Sequence, residues 1–335
     1  TAVAVLVLFF MEYVKPLGKP FNVYMTVLAF IATMLFTDIL FWTKRVSVKR
    51  IVIFLMAVTV STELVYNAKL IMTLDGGVEH FTQYAEDEMK LIGQLQQQDG
   101  GFYRINQTST RDVDGNKLTA NYNEGIAYNY KSISGYTSDP DRNQLLFMKQ
   151  MGYAICGDVM NVVNTSVLGA DSILGVKYVL SSYDIPGLKK LENIEPGNGK
   201  SVYYNPYALP VAFTYESSNM LPDSEEKDEF LYQNQLFSYL SGQNVQVNKR
   251  IEAEPKADSN TVGYDVKHMD DPVYGYFNMK DKDGGKVYVD DQYVTLYNTW
   301  LCPRVVYIPQ QPDAPSTHVH IDGDNMENRV ERACF

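Results

Sequence analysis

Glu63 is the residue whose position most strongly suggests chemistry, because it interrupts a long apolar run. It is the only acidic residue in residues 51–74, IVIFLMAVTVSTELVYNAKLIMTL, and Asn67 follows four positions later, on the same face if the run is helical. At about 1.5 Å per residue, Glu63 lies roughly 18 Å from Ile51, past the middle of a hydrocarbon core about 30 Å thick. An intramembrane carboxylate is a candidate for a proton, ion or substrate pathway. The alternative is a structural hydrogen bond to a neighbouring membrane helix.

The elements that must position these side chains are membrane helices at the start of the chain. Residues 51–74 are long enough to cross a bilayer, residues 21–42 predict a second span, and residues 1–14 resemble the outer end of a third. The intervening segment TKRVSVKR is strongly basic. The positive-inside rule places it in the cytoplasm and the large domain after residue 74 on the other side.

Charge and cysteine content restrict the function of the second part of the chain. The formal net charge is −11, and residues 1–74 have an excess of Lys and Arg, so the rest of the chain is strongly acidic. Such a domain does not bind nucleic acid through bulk charge. Three cysteines occur without a CxxC pair, which leaves incidental thiols or one Cys156–Cys302 disulfide. Because the chain begins inside an apolar run, we expect it to be a fragment of a longer membrane protein.

Residues 75–335 show two kinds of secondary-structure pattern. Residues 75–221 alternate helical and strand patterns and predict an α/β domain, residues 222–243 predict a linking helix, and residues 244–335 contain only strand patterns, as in a β-sandwich or jelly roll. The predicted helices before the linking helix are 79–98, 141–151 and 171–174, and the predicted strands are 102–105, 176–182, 201–205 and 209–215. The fold class is therefore a helical membrane part, an α/β domain and an all-β domain.

Sequence motifs for nucleotide binding, serine hydrolysis and zinc proteolysis are absent, so no motif in this sequence identifies an active site. His318 and His320 alternate on one predicted strand, but without a supporting Cys or Glu cluster we predict no metal site there. Residues 281–285, DKDGG, predict a hairpin tip. The stretch 120–138 is dense in Asn, Tyr, Ser and Gly, a composition that suits a sugar-binding surface as well as an ordinary polar loop.

Several segments together resemble the bacterial YfhO family of polytopic membrane proteins. They are FYRI at 102–105, the Asn/Tyr/Gly-rich stretch ending in GYTS at 135–138, LGVKYV at 174–179, YYNPYALPVAF at 203–213 and QNQLF at 233–237. Their order and spacing carry the resemblance more than any single one of them.

The resemblance implies a membrane glycosyltransferase of the GT-C kind in the bacterial plasma membrane. Such enzymes transfer sugar from a polyprenyl-phosphate donor to an envelope polymer such as teichoic acid, and their catalytic acid lies in an early extracytoplasmic loop, outside this sequence. No catalytic residue is therefore assigned, no cofactor is identified and dependence on a divalent metal is left open. The bilayer, the lipid-linked sugar and the polymer are the expected partners. The candidate donor or acceptor contacts are Tyr103, Arg104, Asn121, Tyr122, Tyr136 and Asn205, with Glu63 and Asn67 as intramembrane polar residues.

Two other interpretations remain open. The soluble part could be a non-catalytic carbohydrate-binding or scaffold domain of an envelope assembly or transport complex. A transporter that uses Glu63 as an ion relay requires broken helices, and residues 21–42 and 51–74 contain no Pro or Gly.

For Arg104, the guanidinium fork suits a phosphate, and an internal salt bridge is the alternative.

Overall fold

The computed structural model describes residues 20–73, 78–108, 123–153, 155–156, 159–162, 165–216, 222, 228–279, 285–297, 305–311 and 313–335. The chain divides into two compact units, Thr1–Thr82 and Gln83–Phe335. The predicted partial span 1–14 lies outside the described residues.

The first unit contains a pair of packed helices, α1 (Pro20–Trp42) and α2 (Val46–Thr73). Both confirm predicted helices, and α2 begins earlier than predicted, so that Lys49 and Arg50 belong to its first turns. Among the residues whose side chains are described, Val46–Lys69 is the one helix long and apolar enough to cross a membrane, and the apolar part of α1, Val27–Trp42, is shorter. The connection of three residues between the helices makes them a helical hairpin.

An amphipathic helix, α3 (Val78–Gln98), covers one face of a mixed sheet. Its buried residues Leu91, Ile92 and Leu95 share a core with the tyrosines and aliphatic residues of the sheet. The helix ends as predicted before Asp99, whose carboxylate accepts a hydrogen bond of 2.9 Å from the backbone of Gly101. Apolar spacing therefore predicted both the element and the face that it buries.

That sheet has the strand order β1-β5-β7-β6, and it brings three of the family-like segments side by side. Strand β1 (Arg104–Gln107) runs parallel to β5 (Val176–Ser181), and β7 (Ser201–Tyr204) is antiparallel to both β5 and β6 (Lys189–Lys190). The predicted strand 209–215 is wrong, because residues 209–216 form no strand. Strand β7 already has a neighbour on each side, and Pro210 lacks a backbone donor for a further ladder.

The other elements of this region are short. They are α4 (Glu124–Ala127), β2 (Gly135–Thr137), α5 (Arg142–Gln150), β3 (Ile155–Cys156), β4 (Val159–Val162), α6 (Leu168–Ile173) and α7 (Glu229–Ser241). Strands β2, β4 and β3 form a small sheet in that order. Helices α5 and α7 start later than predicted because Asp141 and Asp228 are their N-caps, each accepting two backbone hydrogen bonds. For the linking helix, residues 223–227 lie outside the described part.

The C-terminal region is rich in strands, as predicted. Its elements are β8 (Pro255–Ala257), β9 (Thr261–Lys267), β10 (Val273–Met279), β11 (Gly285–Val289), β12 (Gln292–Tyr297), β13 (Val305–Ile308), β14 (Ser316–Asp322), α8 (Met326–Arg329) and β15 (Val330–Cys334). Five strands form the sheet β12-β11-β14-β9-β8, and three form β13-β10-β15. Both sheets contribute residues to one hydrophobic core.

The predicted strand 245–254 is wrong, because no strand forms there. The side chain of Asn234 instead donates a hydrogen bond to the backbone carbonyl of Asn248 and accepts one from its backbone N–H. Residues 281–284 of the predicted hairpin tip lie outside the described part, and the strands before and after it, β10 and β11, belong to different sheets. The hairpin that forms instead joins β11 to β12 through Asp290 and Asp291, whose φ angles of 46° and 63° fit a type I′ turn.

Residues of the C-terminal strands also pack on the α/β part. Tyr307 of β13 stacks on Tyr183 with ring centroids 5.2 Å apart, and it shares a core cluster with Val179 of β5. Val305 donates a backbone hydrogen bond of 3.0 Å to Gly152. The two predicted soluble domains therefore share part of their core, and their boundaries at 221 and 243 remain predictions.

Candidate functional site

A polar stripe runs along α2 inside its apolar surface. It consists of Thr59, Thr62, Glu63, Tyr66 and Asn67, whose spacing of three and four residues places them on one helical face. The amide of Asn67 donates a hydrogen bond to Oε1 of Glu63. This contact confirms that the two residues share a face. The sequence pattern alone had not singled out Thr59, Thr62 and Tyr66.

The stripe faces a pocket between the two helices of the hairpin. Glu63, Thr59, Thr62 and Tyr66 line it from α2, and Leu28, Ala29 and Ala32 line it from α1. The two alanines leave room beside the carboxylate because their side chains are short. The pocket therefore presents one carboxylate, hydroxyl groups and an apolar wall, a combination that accommodates an amphipathic molecule with hydroxyl donors.

In the second unit, adjacent residues of β1 anchor polar networks on opposite faces of the sheet. Asn106 and Gln107 are 0% and 1% exposed, and successive strand residues point to opposite faces. Gln107 lies on the α3 face and Asn106 on the face covered by α6. Buried polar side chains require hydrogen-bond partners, and each of the two has several.

The network around Gln107 contains a fully buried ion pair. Lys200 and Glu88 have side chains 1% and 0% exposed and lie 2.8 Å apart. The ammonium of Lys200 also donates to Oε1 of Gln107 at 2.8 Å, and Nε2 of Gln107 donates to Glu124 at 2.6 Å. Burial raises the pKa of the Glu124 carboxyl, and nearby Lys200 opposes that shift. These contacts tie α3, β1, α4 and the start of β7 together.

The network on the other face surrounds Asp171 of α6. Its carboxylate accepts hydrogen bonds from Tyr153 at 2.5 Å, Ser166 at 2.6 Å and Asn106 at 3.0 Å. Burial raises the pKa of Asp171 to about 7, although the three hydrogen bonds favour the ionised form. Ser134 extends the network by donating to Asn106 at 2.7 Å.

The predicted contacts Tyr103 and Arg104 are engaged inside the fold. The Tyr103 ring packs edge-to-face on Tyr178 at 4.9 Å, and burial raises its pKa. The guanidinium of Arg104 donates to the carbonyl of Leu174 at 2.5 Å. Leu174 is the C-cap of α6, so a cation there also interacts favourably with the helix dipole. The partner of Arg104 among the described residues is this backbone carbonyl, and the salt bridge given as the alternative stays a prediction.

Of the other predicted contacts, one is buried, one is partly exposed and two lie outside the described residues. Asn205 is 1% exposed; its amide donates to Val176 at 3.0 Å and to Ser172, and its oxygen accepts from Tyr207. Tyr136 is partly exposed in β2, where its backbone binds the side chain of Asn123. Asn121 and Tyr122 lie outside the described residues.

The structure thus brings two predicted residues together at the α6–β5 junction, where Arg104 and Asn205 hold neighbouring carbonyls. Sequence reasoning missed Lys200, Glu88, Gln107, Glu124 and Asp171. One signal was available: RINQT places Asn106 and Gln107 in a strand and Thr108 directly after it, and all three polar residues are buried. Charged residues such as Lys200 gave no such signal, because they occur in polar surroundings in the sequence.

Metal ligation finds no support in the described residues, which contain no group of three or more His, Cys, Asp or Glu able to hold an ion. His318 and His320 lie on the same face of β14, as predicted, with rings 5.3 Å apart. Nδ1 of His318 lies 2.8 Å from Asp265. Cys334 is buried, and the Cys156–Cys302 pairing remains a prediction because Cys302 lies outside the described residues.

Comparison with known proteins gives one match. No curated protein and no solved structure matches the chain significantly. A model of the family described as "Bacterial membrane protein YfhO" matches residues 1–319, which is nearly the whole chain and includes the helical hairpin, the α/β region and most of the strand-rich region. The chain therefore belongs to the YfhO family of bacterial membrane proteins.

Proposed function

We propose that this chain is part of a membrane glycosyltransferase that moves a sugar from a polyprenyl-phosphate donor to a cell-envelope polymer such as teichoic acid. The soluble domain lies on the extracytoplasmic side and holds the acceptor. The basic segment before α2 supports this orientation through the positive-inside rule. Family membership and the lack of nucleotide-binding motifs support a lipid-linked donor, which needs no phosphate-binding loop.

The observation that carries the proposal is the polar stripe of α2 beside its pocket. A polyprenyl-linked sugar has an apolar tail and a head rich in hydroxyl groups. The stripe offers Glu63 as an acceptor for hydroxyl donors, next to the apolar wall formed by Leu28, Ala29 and Ala32. Hydrogen bonds to an ionised carboxylate are stronger than neutral ones. Glu63 is therefore assigned to binding, with Asn67 orienting its carboxylate.

Replacing Glu63 by Gln is expected to reduce envelope glycosylation at least about tenfold, because loss of one charged hydrogen bond to substrate amounts to roughly 1.5–3 kcal/mol. Glutamine keeps the acceptor for Asn67, so the helix face itself is retained. The measurement is the glycan content of cell walls from a deletion strain complemented with each variant at equal protein level. Asp38→Asn, near the end of α1, is the matched control and should restore wild-type glycan. Full glycosylation by Glu63→Gln would contradict the assignment.

A second candidate function, a non-catalytic scaffold, is favoured by one specific observation. Arg104 and Asn205 use their side chains on backbone carbonyls at the α6–β5 junction. Such residues shape the domain rather than bind a polymer. A deletion strain with no change in any surface glycan would support the scaffold and contradict the transferase.

Arg104→Ala separates a structural role of this residue from a binding role. Its loss should lower the free energy of unfolding by about 1–2 kcal/mol, because the carbonyl of Leu174 loses its charged donor. Urea unfolding of the purified protein measures this change, with Lys131→Ala, an exposed cation, as control. If Arg104 acts only in structure, glycosylation by the variant at normal protein level is unchanged. A loss of glycosylation without a loss of stability would instead assign Arg104 to substrate binding.

A further inference from the structure

Residues 207–215, YALPVAFTY, form an apolar segment that the fold leaves exposed. Its larger apolar side chains are between 37% and 58% exposed, namely Tyr207, Leu209, Val211, Phe213 and Tyr215. The segment belongs to neither a helix nor a strand. Contiguous exposed apolar surface of this kind marks an interaction site. It is distinct from the polar stripe of α2 and does not depend on the proposed function.

Specific contacts hold the segment in this exposed position. The side chain of Asn205 accepts a hydrogen bond of 3.0 Å from the backbone of Tyr207, and Leu209 donates one of 2.9 Å to Ser172. Gly175, with a φ of 69°, lies so close that a Cβ there would be 3.2 Å from the carbonyl oxygen of Leu209. Exposure is therefore imposed by the fold, since two hydrogen bonds fix the start of the segment and the missing side chain of Gly175 leaves room for it.

The chemistry of the segment fits the headgroup region of a bilayer. Residues 201–215 contain no charged side chain, in a soluble part that is otherwise acidic. Tyrosine combined with aliphatic residues is the composition found at membrane–water interfaces. Backbone outside regular structure is not tolerated in lipid-exposed hydrocarbon, which restricts the segment to the hydrated interface.

The covalent connection tethers the second compact unit to α2, the candidate membrane helix. Only residues 74–82 separate the end of α2 from the second compact unit, and a chain of this length extends at most about 30 Å. We propose that the 207–215 segment inserts its side chains into the lipid headgroup region and so docks the soluble unit on the bilayer.

Tryptophan quenching by brominated lipid tests this docking. Phe213→Trp is compared with Tyr293→Trp, a 53% exposed aromatic position on β12, in the protein reconstituted into phosphatidylcholine vesicles brominated near the top of the acyl chains. After subtraction of the parent emission from Trp42 and Trp300, the Trp at 213 is expected to lose about half of its emission, because an interfacial ring reaches these bromines. The Trp at 293 should lose none. Equal quenching at both positions, or none at either, overturns the proposal.

A second substitution keeps the test independent of the new indole. Val211→Glu added to Phe213→Trp places a charge in the segment and should abolish the quenching. Val247→Glu, at another exposed valine, should leave it unchanged. Quenching that persists with Val211→Glu would contradict insertion, and circular dichroism confirms that each variant is folded.

Discussion

Replacing Lys200 by Met is expected to lower the free energy of unfolding by about 3–5 kcal/mol, because it leaves the buried carboxylate of Glu88 without its cation. Methionine fills a similar volume, so the loss is electrostatic rather than a packing defect. Glu88 retains a hydrogen bond of 2.8 Å from Asn198, which does not replace an ion pair at 0% exposure. Urea unfolding of the purified protein in detergent, followed by circular dichroism, measures the change.

Two further variants make this result specific. Lys90→Met removes the cation of the ion pair with Glu195, whose side chains are 65% and 71% exposed, and it should leave the unfolding midpoint unchanged because water screens that pair. The double variant Lys200→Met with Glu88→Leu should recover part of the lost stability, since the carboxylate of Glu88 no longer remains buried without its cation. A double variant as unstable as the single one would show that the ion pair is not the cause.

Replacing Asp171 by Ala is expected to destabilise the second unit by a similar amount, about 3–5 kcal/mol. Tyr153, Ser166 and Asn106 each lose their acceptor, and a buried donor without a partner costs about 1–3 kcal/mol. The same unfolding measurement applies. Asp139→Ala, at an exposed position before α5, is the control and should have no measurable effect.

Asp171 also gives stability a defined dependence on pH. Burial raises its pKa from 3.8 to about 7, so between these values the folded state binds a proton that the unfolded state has released. The contribution of Asp171 is therefore largest below pH 4 and falls by about 1.4 kcal/mol per pH unit as pH rises toward 7. Asp171→Asn removes this slope. A difference between wild type and Asp171→Asn that stays constant from pH 4 to 7 would contradict the raised pKa.

The sequence predicted much of the fold where one physical rule acted alone. Length and apolarity predicted α1 and α2, and helical spacing predicted the buried face of α3. Alternation predicted β9, β10 and β14. Predictions failed where neighbours decided the outcome. The segment 209–215 alternates like a strand, but β7 is already paired with β5 and β6 on its two sides. Residues 245–254 form no strand pairing, and Asn234 binds their backbone at Asn248 instead.

The candidate residues show the same division. Glu63 and Asn67 were predictable because a helix of fixed pitch places residues four apart on one face, and their contact is local. The partners of Arg104 and Asn205 were not predictable, since they lie at residues 172–176 and are brought close only by the order of β1, β5 and β7. The same holds for the pair of Lys200 with Glu88, which are distant in sequence.

The sequence by itself therefore determined the helical hairpin with its long apolar helix α2, the shared face of Glu63 and Asn67, the strand-rich character of the remainder and the family. Those features depend on periodicity, composition and the order of short segments, which are local properties. Only the tertiary structure decided that three of the family-like segments meet in one sheet, that polar residues of these segments serve buried networks, and that YALPVAFTY remains exposed. Such outcomes depend on which distant side chains share a buried volume, and no local pattern specifies that.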